Sequence, residues 1–195
     1  MTAALAEEIA REGFLTALEI LQLIEVMELQ NRGRIIANIS DSGAARAGIV
    51  VRNSLVSRIT LLVAGAFSPV RRGDKHLRQA FELLDDPETR ASIERRGSAK
   101  LLREALDSWN ELNADPLLRT VKHFRDKYTA HSAEPNANIP IPNYTDFFAF
   151  ARKTAALMEK LAHATGVTAE KLEETADWRI ASAQKFWDPW EFLRK

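Results

Sequence analysis

The sequence has no cysteine, which excludes a disulfide framework, a thiolate metal site and a cysteine nucleophile, and points to a reducing compartment. Glycine and proline are scarce, eight and seven in 195 residues. Few positions can therefore break a helix. Strand-like alternation of apolar and polar residues is missing throughout, as are internal repeats and long low-complexity tracts. The start, MTAALAEEIAREGF, places acids and a base where a signal peptide needs an unbroken apolar run. A cytoplasmic protein that is not exported is the expectation.

The most apolar window, LVSRITLLVAGAF, is interrupted by Arg58 and is shorter than the roughly 20 residues a bilayer requires. It reads as a buried helix, with no membrane partner. Net charge is also lacking, because 27 basic residues balance 27 acidic ones, so the whole chain has no electrostatic reason to bind a polyanion. A nucleic-acid surface must then be local. Neither a GxxxxGK(S/T) loop, an HExxH pair nor a GxSxG elbow occurs, leaving P-loop, zincin and elbow-hydrolase chemistry without support. No metal or cofactor is expected.

What the sequence does have is helix-forming residues almost everywhere. Ile9, Phe14, Leu18, Leu21, Ile24 and Leu29 recur at helical spacing and predict a first helix over 3–32. A second runs from Gly43 to Phe67, where the Ser68-Pro69 step stops it, and a short one follows over 74–84. The pair Asp86-Pro87 starts a helix reaching about Leu112, and Asp115-Pro116 starts another reaching His131 or Ser132. Three prolines and three asparagines make 133–143 a loop. Helices resume over 144–164 and 168–186. The fold class expected is all-α, a single-domain antiparallel bundle of about six to seven helices over 1–195, with 167–195 as an aromatic-rich helical extension. Trp178, Phe186, Trp187, Trp190 and Phe192 in that extension are expected to pack on the core or across a dimer.

The bases are unevenly distributed. Arg119, Lys122, Arg125 and Lys127 lie within nine residues and only Asp126 opposes them. At 100° per residue, Leu117, Val121, Phe124, Tyr128 and His131 fall on one stripe expected to face the core, while Lys122, Arg125, Thr129 and Ser132 form an adjoining polar one. Arg125 and His131 are six residues apart, about 9 Å of rise on a straight helix. A shared site needs long side-chain reach, a distorted helix end or a second chain.

The run Arg125-Asp126-Lys127-Tyr128-Thr129-Ala130-His131 resembles the R-x(4-6)-H motif of the HEPN superfamily (higher eukaryotes and prokaryotes nucleotide-binding). The order RDKYTAHS, a Pro/Asn loop, then NYTDFFAF is similar to the abortive-infection, AbiU-like branch, and Arg52 to Leu84, with Arg58, Gly73-Asp74-Lys75 and HLRQAFELL, is similar in layout. The resemblance covers roughly 11–166 and implies a metal-independent endoribonuclease, acting in defence or as a toxin, whose homodimer gathers two arginines and two histidines in one groove. It implies Arg125 and His131 as catalytic residues and Asp126, Tyr128 and Thr129 as supporting ones. Arg119, Lys122 and Lys127 would bind phosphates of an RNA substrate, with an antitoxin or a nucleotidyltransferase as the further partner.

Those residue types suit the chemistry. An imidazole titrates near neutrality and can exchange a proton with a ribose hydroxyl, and a guanidinium holds a phosphate bidentately. Other readings stay open. Read without the resemblance, His131 is a boundary or helix-capping histidine, Arg125 is solvated or ion-paired, and the cluster complements the helix dipole. The chain would then be a catalytically inactive module binding a nucleotide, RNA or protein, or an oligomerisation domain.

Overall fold

The computed structural model describes residues 2–71, 73, 75–129, 136 and 138–192. Among these there is no strand, and nine α-helices follow one another: α1 (Thr2–Gln30), α2 (Gly33–Asp41), α3 (Ala45–Ala66), α4 (Leu77–Leu84), α5 (Pro87–Arg96), α6 (Ala99–Ala114), α7 (Pro116–Phe124), α8 (Tyr144–Ala164) and α9 (Ala176–Glu191). The all-α expectation holds, but the chain is divided more finely than six or seven helices.

Two extra breaks account for the difference. At Arg32 the backbone turns extended (ψ 128°), its N–H bonding back to Leu29, and α2 begins as a separate amphipathic helix burying Ile35 and Ile39. Those two apolar residues, one turn apart, are too short a pattern to announce a helix. The second break is Gly97, which interrupts the helix expected from Pro87 to Leu112. There the end of α8 comes so close that a Cβ on Gly97 would sit 2.0 Å from the Ala164 carbonyl oxygen. Ser98 donates its N–H to that same oxygen (3.1 Å), and its hydroxyl accepts from Leu101 N–H to start α6.

The long α1 lies against α3, α4, α8 and α9, burying Ile9, Ile20, Ile24 and Met27, while α8 contributes Phe147, Phe150, Leu157 and Leu161. Trp109 of α6 is sandwiched between Phe67 and Phe81 at 5.2 and 4.6 Å, nearly parallel to both. This stack fixes where α3, α4 and α6 meet. The helix expected over 168–186 starts later, after an extended stretch and a 3-10 turn (Leu172–Thr175), and runs further, to Glu191. It packs Ala183 and Trp187 on Leu29, Ile35 and Ile39, and the Trp187 indole donates to the Val26 carbonyl (2.9 Å).

The apolar window 55–67, expected to be a buried helix, forms the second half of α3 and the turn after it. Taken whole, α3 has 22 residues and an 18-residue window of mean hydropathy 1.4, long and apolar enough to cross a membrane by length and composition, with only 28% of that window buried. Its buried residues all lie from Val56 onward, whereas Ile49 and Val50 are exposed. Only its second half is the buried helix expected.

Candidate nucleic-acid interface

The helix carrying the motif starts as its sequence dictates. Asp115 caps α7, its carboxylate accepting from Leu117 N–H (2.8 Å), and Pro116 takes the first helical position. Leu118 and Val121 are buried, with Leu117 and Phe124 half-buried against the core. From Arg125 to Thr129 the hydrogen bonding changes to the wider π pattern, in which each turn holds an extra residue. Projection at 100° per residue fails from there on. Tyr128, expected on the core stripe, turns to solvent and stacks on Phe124 at 5.4 Å.

Within this distorted end Arg125 is clamped, its side chain 21% exposed. Its Nε donates to Asp126 Oδ1 (2.7 Å), its Nη2 is ion-paired with the same oxygen (2.7 Å), and its Nη1 donates to the Ser68 hydroxyl (2.6 Å). Ser68 in turn donates to the Ala64 carbonyl (3.1 Å), the end of α3. Asp126, expected as a supporting residue, holds Arg125.

Lys122 is half-buried one turn earlier, with no ion pair among the described residues. Burial lowers its pKa from the ordinary lysine value, and the Arg78 and Arg125 guanidiniums lower it further, Asp126 offsetting part of this. Arg119 is exposed and Lys127 half-buried. Thr129 closes the π segment. His131 lies outside the described residues.

Arg78 was not among the residues the sequence suggested. It comes from α4, where its Nε donates to the Phe67 carbonyl (3.1 Å) and its Nη2 to Asn113 Oδ1 (2.8 Å), with the guanidinium 5.5 Å from the Trp109 ring centre. No spacing rule ties residue 78 to residue 125. The only signal was indirect: a cation in HLRQAFELL one turn before a core phenylalanine. The structure thus gathers Arg78, Lys122 and Arg125 at the Phe67-Ser68 turn, with one carboxylate among them in the described residues, while Arg119 stands exposed.

The AbiU2 family of HEPN proteins matches residues 4–186. No curated protein and no solved structure matches the chain.

Proposed function

Because the chain belongs to the AbiU2 family and is an abortive-infection-related HEPN domain, we propose that it is a metal-independent endoribonuclease acting in defence or as a toxin. The observation that supports this best is the Arg125 guanidinium, oriented by Asp126 and Ser68 beside a half-buried lysine. Such a group binds a phosphodiester and the charge that develops on it. In the reaction a ribose 2′-oxygen bonds to phosphorus and the bond to the 5′-oxygen breaks. The 2′-hydroxyl proton passes to one His131 imidazole, and a proton from the partner's histidinium goes to the leaving oxygen, giving a cyclic 2′,3′-phosphate. Because Arg125 and His131 are separated along the chain, the working unit in this reading is a homodimer with a composite groove, held silent by an antitoxin or modified by a nucleotidyltransferase.

The test uses purified protein and RNA in excess EDTA. Cleavage to cyclic-phosphate ends is expected from the wild type, with a loss of at least a hundredfold in Arg125→Ala and in His131→Ala. Cleavage unchanged in both variants would overturn the assignment. One observation favours a second reading, a catalytically inactive module: Asp126 already occupies two of the Arg125 nitrogens. That reading expects RNA binding with no turnover by any form of the protein.

A further inference from the structure

The Phe67-Ser68 turn anchors two guanidiniums on successive residues, Arg78 on the Phe67 carbonyl and Arg125 on the Ser68 hydroxyl. Successive Cα atoms are only about 3.8 Å apart. The two arginines therefore reach one small area from different helices, and Lys122 lies close enough to both to feel their charge. The carboxylate of Asp126 is bonded to Arg125, and Arg78 is bonded to neutral acceptors only. Among the described residues three cations thus share one anion, beside Trp109 and Phe67.

Like charges held together in a half-buried place repel one another. A cluster kept in that state is short of an anion. Arg125 has a protein partner at each of its nitrogens and keeps one further N–H on each of Nη1 and Nη2, so a second anion falls to the other donors of the cluster. The Nη1 of Arg78 has no partner among the described residues, and neither has the Lys122 ammonium.

The geometry points to Arg78 and Lys122 as a second phosphate subsite, which binds the phosphodiester of single-stranded RNA next to the one held at Arg125. This rests on the ribonuclease reading only for the identity of the ligand. The Arg78 guanidinium sits 5.5 Å from the Trp109 ring centre with its Nε and Nη2 fixed by protein acceptors, so it presents its open Nη1 at little entropic cost. The lysine supplies a point charge beside it. Two adjoining subsites would hold two consecutive phosphates and so set which linkage reaches the motif.

The test is binding of a 2′-O-methyl oligonucleotide of about ten nucleotides, which cannot undergo 2′-oxygen attack, followed by anisotropy over a range of KCl. Each lost phosphate contact lowers the slope of log K against log salt by about 0.7 for a single strand. Arg78→Gln and Lys122→Gln are each expected to show that drop, with affinity down about fivefold near 0.1 M salt. Lys122 makes no hydrogen bond among the described residues, so its variant does not disturb the fold. Lys100→Gln on the outer face of α6 is expected to match the wild type. Slopes and affinities of both subsite variants equal to those of the wild type would overturn the proposal. Cleavage of the ribose oligonucleotide in EDTA is read in parallel. An uncleaved substrate with a reduced slope upholds the subsite and fails the ribonuclease reading, while cleavage with unchanged slopes does the reverse.

Discussion

Lys122 shows how binding and stability oppose each other at a single residue. Its ammonium is partly desolvated and faces two guanidiniums, so its charged form is disfavoured in the folded chain relative to the unfolded one. With the folded pKa below the unfolded pKa, the unfolded chain binds more protons between the two values, and stability rises with pH through that window. Below the folded pKa the full penalty is present. Replacing the ammonium with an apolar chain of similar length removes it. Lys122→Met is expected to raise the thermal midpoint at neutral pH by about 1–3 °C, less than about 1 kcal/mol given the residue's remaining exposure, and to flatten the rise of stability toward alkaline pH. Thermal melts at pH 7 and 9.5 check both, and a lowered midpoint would show that the lysine is held by an attraction instead. Arg119, Lys122, Arg125 and Lys127 were legible as a cluster because they are neighbours in the chain. Arg78 and Ser68 were not, because only folding brings α3 and α4 to α7.

Among the elements, local signals were legible and long-range ones were not. Asp86 and Asp115 cap the helices at the starts their sequences suggested, and α8 runs over the residues expected of it. Gly97 is the contrary case. A glycine within a helical pattern looks tolerable, and the reason it ends α5 is the Ala164 carbonyl 67 residues away, which no window of sequence contains. Here the glycine is needed for space. Gly97→Ala is expected to cost about 3 kcal/mol, since backbone on both sides must move, and to lower the thermal midpoint by roughly 6–12 °C. Differential scanning calorimetry decides it. A shift below 2 °C would mean that the α5–α6 junction and the end of α8 separate easily. The π segment was equally hidden, since a helical projection assumes the α phase it departs from.

For the whole molecule, the question is what covers its remaining apolar surface. Trp178, Phe186 and Phe192 are 69%, 56% and 65% exposed on or just after α9, and Leu15 of α1 is 62% exposed. Of the C-terminal aromatics expected to pack on the core or across a dimer, Trp187 is buried on the core and Trp190 packs beside it, partly buried. In the proposed dimer these residues supply the apolar contact that must outweigh repulsion between two basic clusters. Sedimentation equilibrium at micromolar concentration is expected to give a dimer that tightens as salt rises from 0.05 to about 0.3 M. A monomer under all these conditions would remove the composite groove. All-helical class, the extent of α1 and α8 and the basic helix end could be read from residue order alone, whereas assembly depends on which faces remain bare after folding.

A turn that closes i to i+5 over residues 125–129 also bears on how such chains diverge. It stores one residue more than an α-turn needs, so a single-residue deletion there can be absorbed by reverting to α winding, with the backbone ladder intact. An insertion can be absorbed the opposite way. Either event would leave the downstream side chains close to their original phase, where the same change in a plain α-helix would swing them by about 100°. A motif whose two ends are allowed four to six intervening residues has the tolerance that such a slack turn confers, and the turn is where insertions and deletions would be expected to accumulate between lineages.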